Sequence, residues 1–182
     1  MVIDPSNTWK LVEQQMNAET DPRRRRNLEL VLAHMKCEAQ ADVEGVVATL
    51  TESPRYIIHS NPEDRDMNPS GSKDAVRGFY DRTIVQTGAH HLEFACDRVI
   101  VDDHSVFTEG IMRQVYPGAT LRAMKIEVDD PDAYYFTEYR MGVVWPVDHD
   151  EDRLTGEEVY AGGDPFQNIA QRKIALSDIK AI

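Results

Sequence analysis

Cysteine is scarce in this chain. Its two thiols, Cys37 and Cys96, lie far apart and form no CxxC pair, which argues against a zinc ribbon or a dithiol redox motif. Long apolar runs are missing as well: nowhere do ~18 consecutive apolar residues occur, the length a helix needs to cross a bilayer. Basic residues are in deficit, 20 Lys and Arg against 32 Asp and Glu, for a formal net charge of −12. A surface of that sign repels phosphate backbones and anionic headgroups, so neither nucleic acid nor membrane is expected as a partner. The one basic run, Arg23 to Arg26, follows Glu19 and Asp21 and reads as a solvated helix start. There is no glycine-rich phosphate loop, GxSxG elbow or dinucleotide fingerprint, which disfavours nucleotide and acyl-serine chemistry. The six histidines are scattered. His90 and His91 are neighbours that a strand would point to opposite faces, and Asp102-Asp103-His104 and Asp148-His149-Asp150 read as exposed turns. No metal and no cofactor are expected. The segment Met1 to Trp9 has no basic stretch leading into an apolar run, and a soluble cytoplasmic protein is the expectation.

What is present is enough for a core. The 182 residues, 41% of them hydrophobic, suit a single domain with extensions. Trp9 to Ala18 reads as a short helix ended before Asp21-Pro22, because proline disfavours helical backbone in the residue before it. Leu28, Val31, Leu32, Met35 and Ala39 then recur at helical spacing, and Val43, Val46, Val47 and Leu50 repeat the pattern after a tight junction near Ala41. Arg55 to Ser60 is β-rich, and Asn61 to Gly71 carries the Pro, Asn and Ser-Gly chemistry of a loop. Ser72 is placed to cap a further helix with Val76, Phe79, Tyr80 and Ile84 on its buried face. From Leu92 the pattern becomes strand-like, over Leu92 to Val101, Val106 to Tyr116, Leu121 to Val128, Tyr134 to Val147 and Leu154 to Ala161, with bend-rich segments between. A last helix is expected from about Asn168 to Leu176.

Helices first and an antiparallel meander after them give an α+β fold, a curved sheet packed against the helices, with a conical cavity at its mouth. The division expected is an N-terminal helical extension over 1–27, the main domain over 28–162 and a C-terminal tail over 163–182.

The order of elements, together with Ala41-Asp42-Val-Glu-Gly, the strand ending His59-Ser-Asn-Pro62, Ala75-Val-Arg-Gly-Phe-Tyr80 and Leu154-Thr-Gly-Glu, resembles the nuclear-transport-factor-2-like superfamily. Within it the resemblance is to the SnoaL-like group, with ketosteroid isomerases and limonene-epoxide hydrolases. It runs from about Leu28 to Ala161 and identifies fold better than chemistry, because the superfamily includes isomerases, hydrolases, dehydratases, cyclases and proteins without activity. Carried over, the isomerase pattern puts its pocket tyrosine at Tyr80 and a donor at His34. Its general-base aspartate falls on Asn61, an amide that cannot shuttle a proton, and its second acid falls on Val143. The epoxide-hydrolase pattern is approximated at His59 and Asn61, but its late-strand acid falls near Val159.

His59 and Tyr80 are therefore the candidate catalytic pair. His59 ends a strand beside a turn, and an unperturbed imidazole suits acid or base work near neutrality. Tyr56, Asn61 and His34 are candidate pocket residues, with Tyr139, Met141, Val143 and Trp145 as one face of the long strand. That aromatic wall favours a ring-bearing, mostly apolar ligand. Glu109 and Arg113 share a face of the strand 106–116, but alternation leaves open whether that face lines the cone. The resemblance implies a homodimer that holds a small hydrophobic molecule, with cofactor-free isomerase, dehydratase, cyclase or hydrolase chemistry. A non-catalytic binding or interaction domain of the same fold is the alternative.

Overall fold

The computed structural model describes residues 3–181. Helix α1 (Asn7–Ala18) leads into α2 (Pro22–Ala39), where Asp21 accepts hydrogen bonds from the backbone N–H groups of Arg23 and Arg24 and Pro22 occupies the first turn. The start of α2 at Pro22 carries it across the expected boundary at residue 27. The basic run at that start is taken up by surface ion pairs, Arg24 to Asp103 at 2.9 Å and Arg26 to Asp152 at 2.6 Å. Ala41, with φ of 55°, turns the chain into α3 (Val43–Ala48), capped by Asp42 through Gly45 N–H. Strand β1 (Leu50–Ile58) and α4 (Lys73–Tyr80) follow, and α4 continues into a π-helical turn over Asp81–Val85.

The sheet is completed by β2 (His91–Val101), β3 (Ser105–Pro117), β4 (Tyr134–Phe136), β5 (Tyr139–Asp148), β6 (Arg153–Gly162) and β7 (Lys173–Ile174). Strands β2, β3, β5 and β6 form the expected antiparallel succession, while β1 lies parallel to β6 at one edge. The stripe Leu28, Val31, Leu32, Met35 and Ala39 is buried, and with Val106, Val143, Trp145 and Leu154 it forms the main core between the helices and the inner sheet face. Each buried Val, Leu or Met side chain of this core contributes about 1.5–3 kcal/mol.

Three expected elements differ. Leu121 to Val128 is not a strand: α5 (Gly118–Ala123) occupies its start, and Lys125, with φ of 64°, turns the chain away after it. Gly118-Ala-Thr-Leu-Arg-Ala is short of β-branched residues and good at helix, which decides the local outcome. The single strand expected over Tyr134 to Val147 breaks at Thr137 and Glu138, so that β5 pairs with the first part of β3 and β4 with its end. The C-terminal helix is reduced to 3-10 turns at Ile169–Gln171 and Leu176–Asp178 flanking β7.

Candidate functional site

Between the helices and the inner sheet face a polar cluster is set in that core. On α2, His34 and Glu38 are four residues apart and so share one helix face, one turn above the other. From α4 comes Tyr80, on the buried stripe with Val76, and from β1 comes Tyr56. The fifth member, Glu157, belongs to β6, where Tyr56 and Glu157 are register partners and present their side chains side by side.

Glu157 reaches the interior because of a bulge. Leu154 and Glu157 are three positions apart, an odd offset that regular alternation would put on opposite faces, yet both are buried. The register slips between Val144 and Val147 on one neighbour and between Leu50 and Arg55 on the other. Such an irregularity adds a residue to one strand and reverses the alternation beyond it. Gly156 sits there at φ of 134°, and a Cβ on it would collide with the Arg55 carbonyl, so the bend depends on glycine.

Hydrogen bonds join the group into a chain. The Thr49 hydroxyl donates to the Val46 carbonyl at 2.6 Å, and His34 Nδ1 lies 2.7 Å from the same Thr49 Oγ1. His34 Nε2 lies 3.1 Å from Glu157 Oε1, and the Tyr80 hydroxyl is 3.2 Å from that oxygen, 3.4 Å from Glu38 Oε1 and 3.4 Å from the Tyr56 hydroxyl. Trp145 meets the His34 ring edge-on at 5.3 Å, with its own N–H on Thr108 Oγ1 at 2.8 Å. His34 is fully buried, while Glu38 is half-buried and stands at the outer end of the chain.

Burial dominates the electrostatics. It pushes the Glu38 carboxyl up to about 8, with the negative charge of Glu157 adding to the effect and the Tyr80 hydrogen bond opposing it. Burial first, and Glu157 second, raise the phenols of Tyr56 and Tyr80 well above their usual range. Tyr139 is pushed up to about 12 by burial, with Glu38 contributing. All three tyrosines therefore remain neutral hydrogen-bond donors, while Glu38 exchanges its proton in the range where a general acid or base is useful. The site contains two carboxylates, phenols and an imidazole in an apolar wall. Among the described residues no three His, Cys, Asp or Glu side chains group as a metal ion would require.

The residues singled out from sequence divide between the two faces. Tyr80, Tyr56 and His34 meet in the cluster, and Val143 and Trp145 line the core beside it, with Tyr139 and Met141 packed against it. His59 and Asn61 lie outside. Tyr56 faces inward, so alternation turns His59 outward, where its ring stacks on Tyr160 at 4.2 Å and Nε2 lies 3.4 Å from Glu158. Asn61 is exposed in the following loop, 3.3 Å from Asp64 Oδ2. The inner face of β3 carries Val106, Thr108 and Met112, which puts Glu109 and Arg113 on the other face. There Glu109 pairs with Arg98 and Arg140, and Arg113 with Glu93 and Glu138. Sequence reasoning missed Glu38 and Glu157. The i,i+4 relation of Glu38 to His34 was a usable signal, whereas Glu157 had none, since the bulge is not written in its neighbours' hydropathy. Two surface concavities lie elsewhere. One of about 770 Å³ is lined by Arg122, Ile126, Val128 and Ala170, and one of about 560 Å³ lies between α3 and α4; neither contains the buried titratable cluster.

No family model matches the chain, and no curated protein matches its sequence. Solved structures do resemble it. One from Shewanella putrefaciens CN-32, assigned as a SnoaL-like polyketide cyclase, superposes with a TM-score of 0.65 at 13% identity over 88% of this chain and 92% of that one. A second, with the same assignment, from Shewanella denitrificans OS-217, gives 0.64 at 13% identity over 80% and 96%. TerC, co-crystallised with polyporic acid, gives 0.55 at 15% identity over 80% and 98%. At these identities the likeness establishes the fold and leaves the chemistry to the residues.

Proposed function

We propose that this chain, whose fold is that of the SnoaL-like proteins of the nuclear-transport-factor-2-like superfamily, binds a small, mostly apolar molecule in its cone and performs acid–base chemistry on it without a cofactor. The observation that carries the reading is Glu38: a half-buried carboxyl held up to about 8 at the outer end of the chain through Tyr80 to Glu157 and His34. In this reading Glu38 gives or takes the proton, Tyr80 and Tyr56 turn toward a ligand oxygen the hydrogens that otherwise pair within the cluster, and Tyr139, Met141 and Val143 form the apolar wall. A ring-bearing ketone or phenol suits such a site. The cyclase assignments of two structural neighbours and the co-crystallisation of a third with polyporic acid support that class.

A second reading has its own support. The polar atoms of His34, Tyr56, Tyr80 and Glu157 already partner one another, as they would in a core that holds a non-catalytic binding or interaction domain together. A screen of ring-bearing ketones and phenols separates the two. The acid–base reading expects a ligand whose affinity falls by about 1–3 kcal/mol in Tyr80→Phe and whose turnover loses its pH dependence near pH 8 in Glu38→Gln. Ligands bound equally well by both variants, with no turnover, would favour the second reading.

A further inference from the structure

Hydrogens are fixed along the inner chain by elementary bonding rules, beginning at its deepest point. The Val46 carbonyl can only accept, so its 2.6 Å contact with Thr49 Oγ1 is attractive only when the threonine hydrogen lies in it. That hydroxyl has no second hydrogen. Toward His34 it can only accept, and the 2.7 Å contact therefore requires a hydrogen on Nδ1. In a neutral imidazole with the hydrogen on Nδ1, Nε2 is a lone pair, and at 3.1 Å it faces Glu157 Oε1. Two lone pairs would repel there. One further hydrogen must lie between His34 and Glu157, on either atom.

The consequence reaches the outer end. With Glu157 Oε1 facing a hydrogen from His34, the single Tyr80 hydrogen at 3.2 Å completes its surroundings. The Tyr80 oxygen is then left as an acceptor for Glu38, at 3.4 Å, and for the Tyr56 hydroxyl, at 3.4 Å. When Glu38 loses its proton, Tyr80 turns its hydrogen toward Glu38 and Glu157 keeps the one from His34. The groups facing His34 are Thr49 from the end of α3, Tyr56 from β1, Tyr80 from α4, Trp145 from β5 and Glu157 from β6. No Lys or Arg is among them.

We propose that His34 is the positioning residue of this site: tethered by Thr49, it holds a hydrogen against Glu157 and leaves Glu38 as the carboxyl that exchanges protons. This rests on the acid–base reading for its purpose, but its test requires no ligand, so the two fail separately.

Nitrogen NMR of the imidazole decides. In the unmodified protein at neutral pH, His34 Nδ1 should show the pyrrole-like shift of a protonated nitrogen. Thr49→Val removes the acceptor-only oxygen and admits the neutral tautomer with its hydrogen on Nε2, so Nδ1 should become pyridine-like. The cluster then holds one proton fewer, and the Glu38 carboxyl midpoint should rise by about half a pH unit or more, because an added negative charge opposes its ionisation. Thr49→Ser, which keeps the hydroxyl, should restore both signals. A pyridine-like Nδ1 in the unmodified protein would overturn the proposal without any variant having to fold. A Thr49→Val protein with an unchanged His34 spectrum and an unchanged Glu38 midpoint would do the same.

Discussion

Two trios of the same residue types lie on opposite sides of the sheet: His34, Tyr80 and Glu157 in the core beneath the helices, and His59, Tyr160 and Glu158 on the outer face. Glu157 and Glu158 are consecutive in the chain. The inner histidine is fully buried, whereas the outer His59 and Glu158 side chains are 37% and 36% exposed and 3.4 Å apart. Water screens the outer pair, so its contact amounts to little. Inside, the same chemistry is desolvated, and burial pushes the nearby Glu38 carboxyl up to about 8. Residue type is identical in the two places, and the side of the strand decides what the residues can do.

The comparison breaks most readily at the bulge. Gly156→Ala demands a left-handed backbone from alanine and drives its methyl into the Arg55 carbonyl, and a loss of about 3 kcal/mol or more in unfolding free energy is expected. Urea denaturation measures it. A loss under about 1 kcal/mol would mean that β6 can reach its register without the bulge and that Glu157 is not held inward by it.

That dependence also explains how far the sequence could be read. Helical spacing found the buried stripe of α2, and alternation found the inward face Tyr139, Met141, Val143 and Trp145, because both patterns are local. The inner or outer assignment of β3 needed its partners: only pairing with β5 places Val106 opposite Trp145 and Thr108 opposite Val143. His59 looked suitable by its place at the end of a strand, yet its face follows from the inward Tyr56 three residues earlier. Glu157 required a register slip set by two neighbouring strands, which no window of sequence around it contains.

At the small end of the scale stand the outer residues. His59→Ala and Arg140→Ala each remove an exposed contact, with Glu158 in the first case and with Asp97 and Glu109 in the second. Each should leave the urea midpoint of unfolding nearly unchanged, and His59→Ala should leave any pH dependence of ligand turnover intact. A loss of that pH dependence in His59→Ala would move the chemistry to the outer face and reverse the comparison.

The most direct test of the inner cluster is the stability of Glu38→Gln against the unmodified protein as a function of pH. A carboxyl raised in the folded state binds its proton more tightly there than in the unfolded chain. Stability must therefore fall as pH rises from the ordinary value of 4.5 toward about 8, and level off above that. Glutamine carries no such penalty. The variant should match the parent near pH 4 and exceed it by a few kcal/mol at most, on the order of 1–3 for a half-buried group, above pH 8. A difference that does not grow between pH 4.5 and 8, or one with the parent more stable at high pH, would contradict a desolvated Glu38 and with it the account of the cone as an acid–base site.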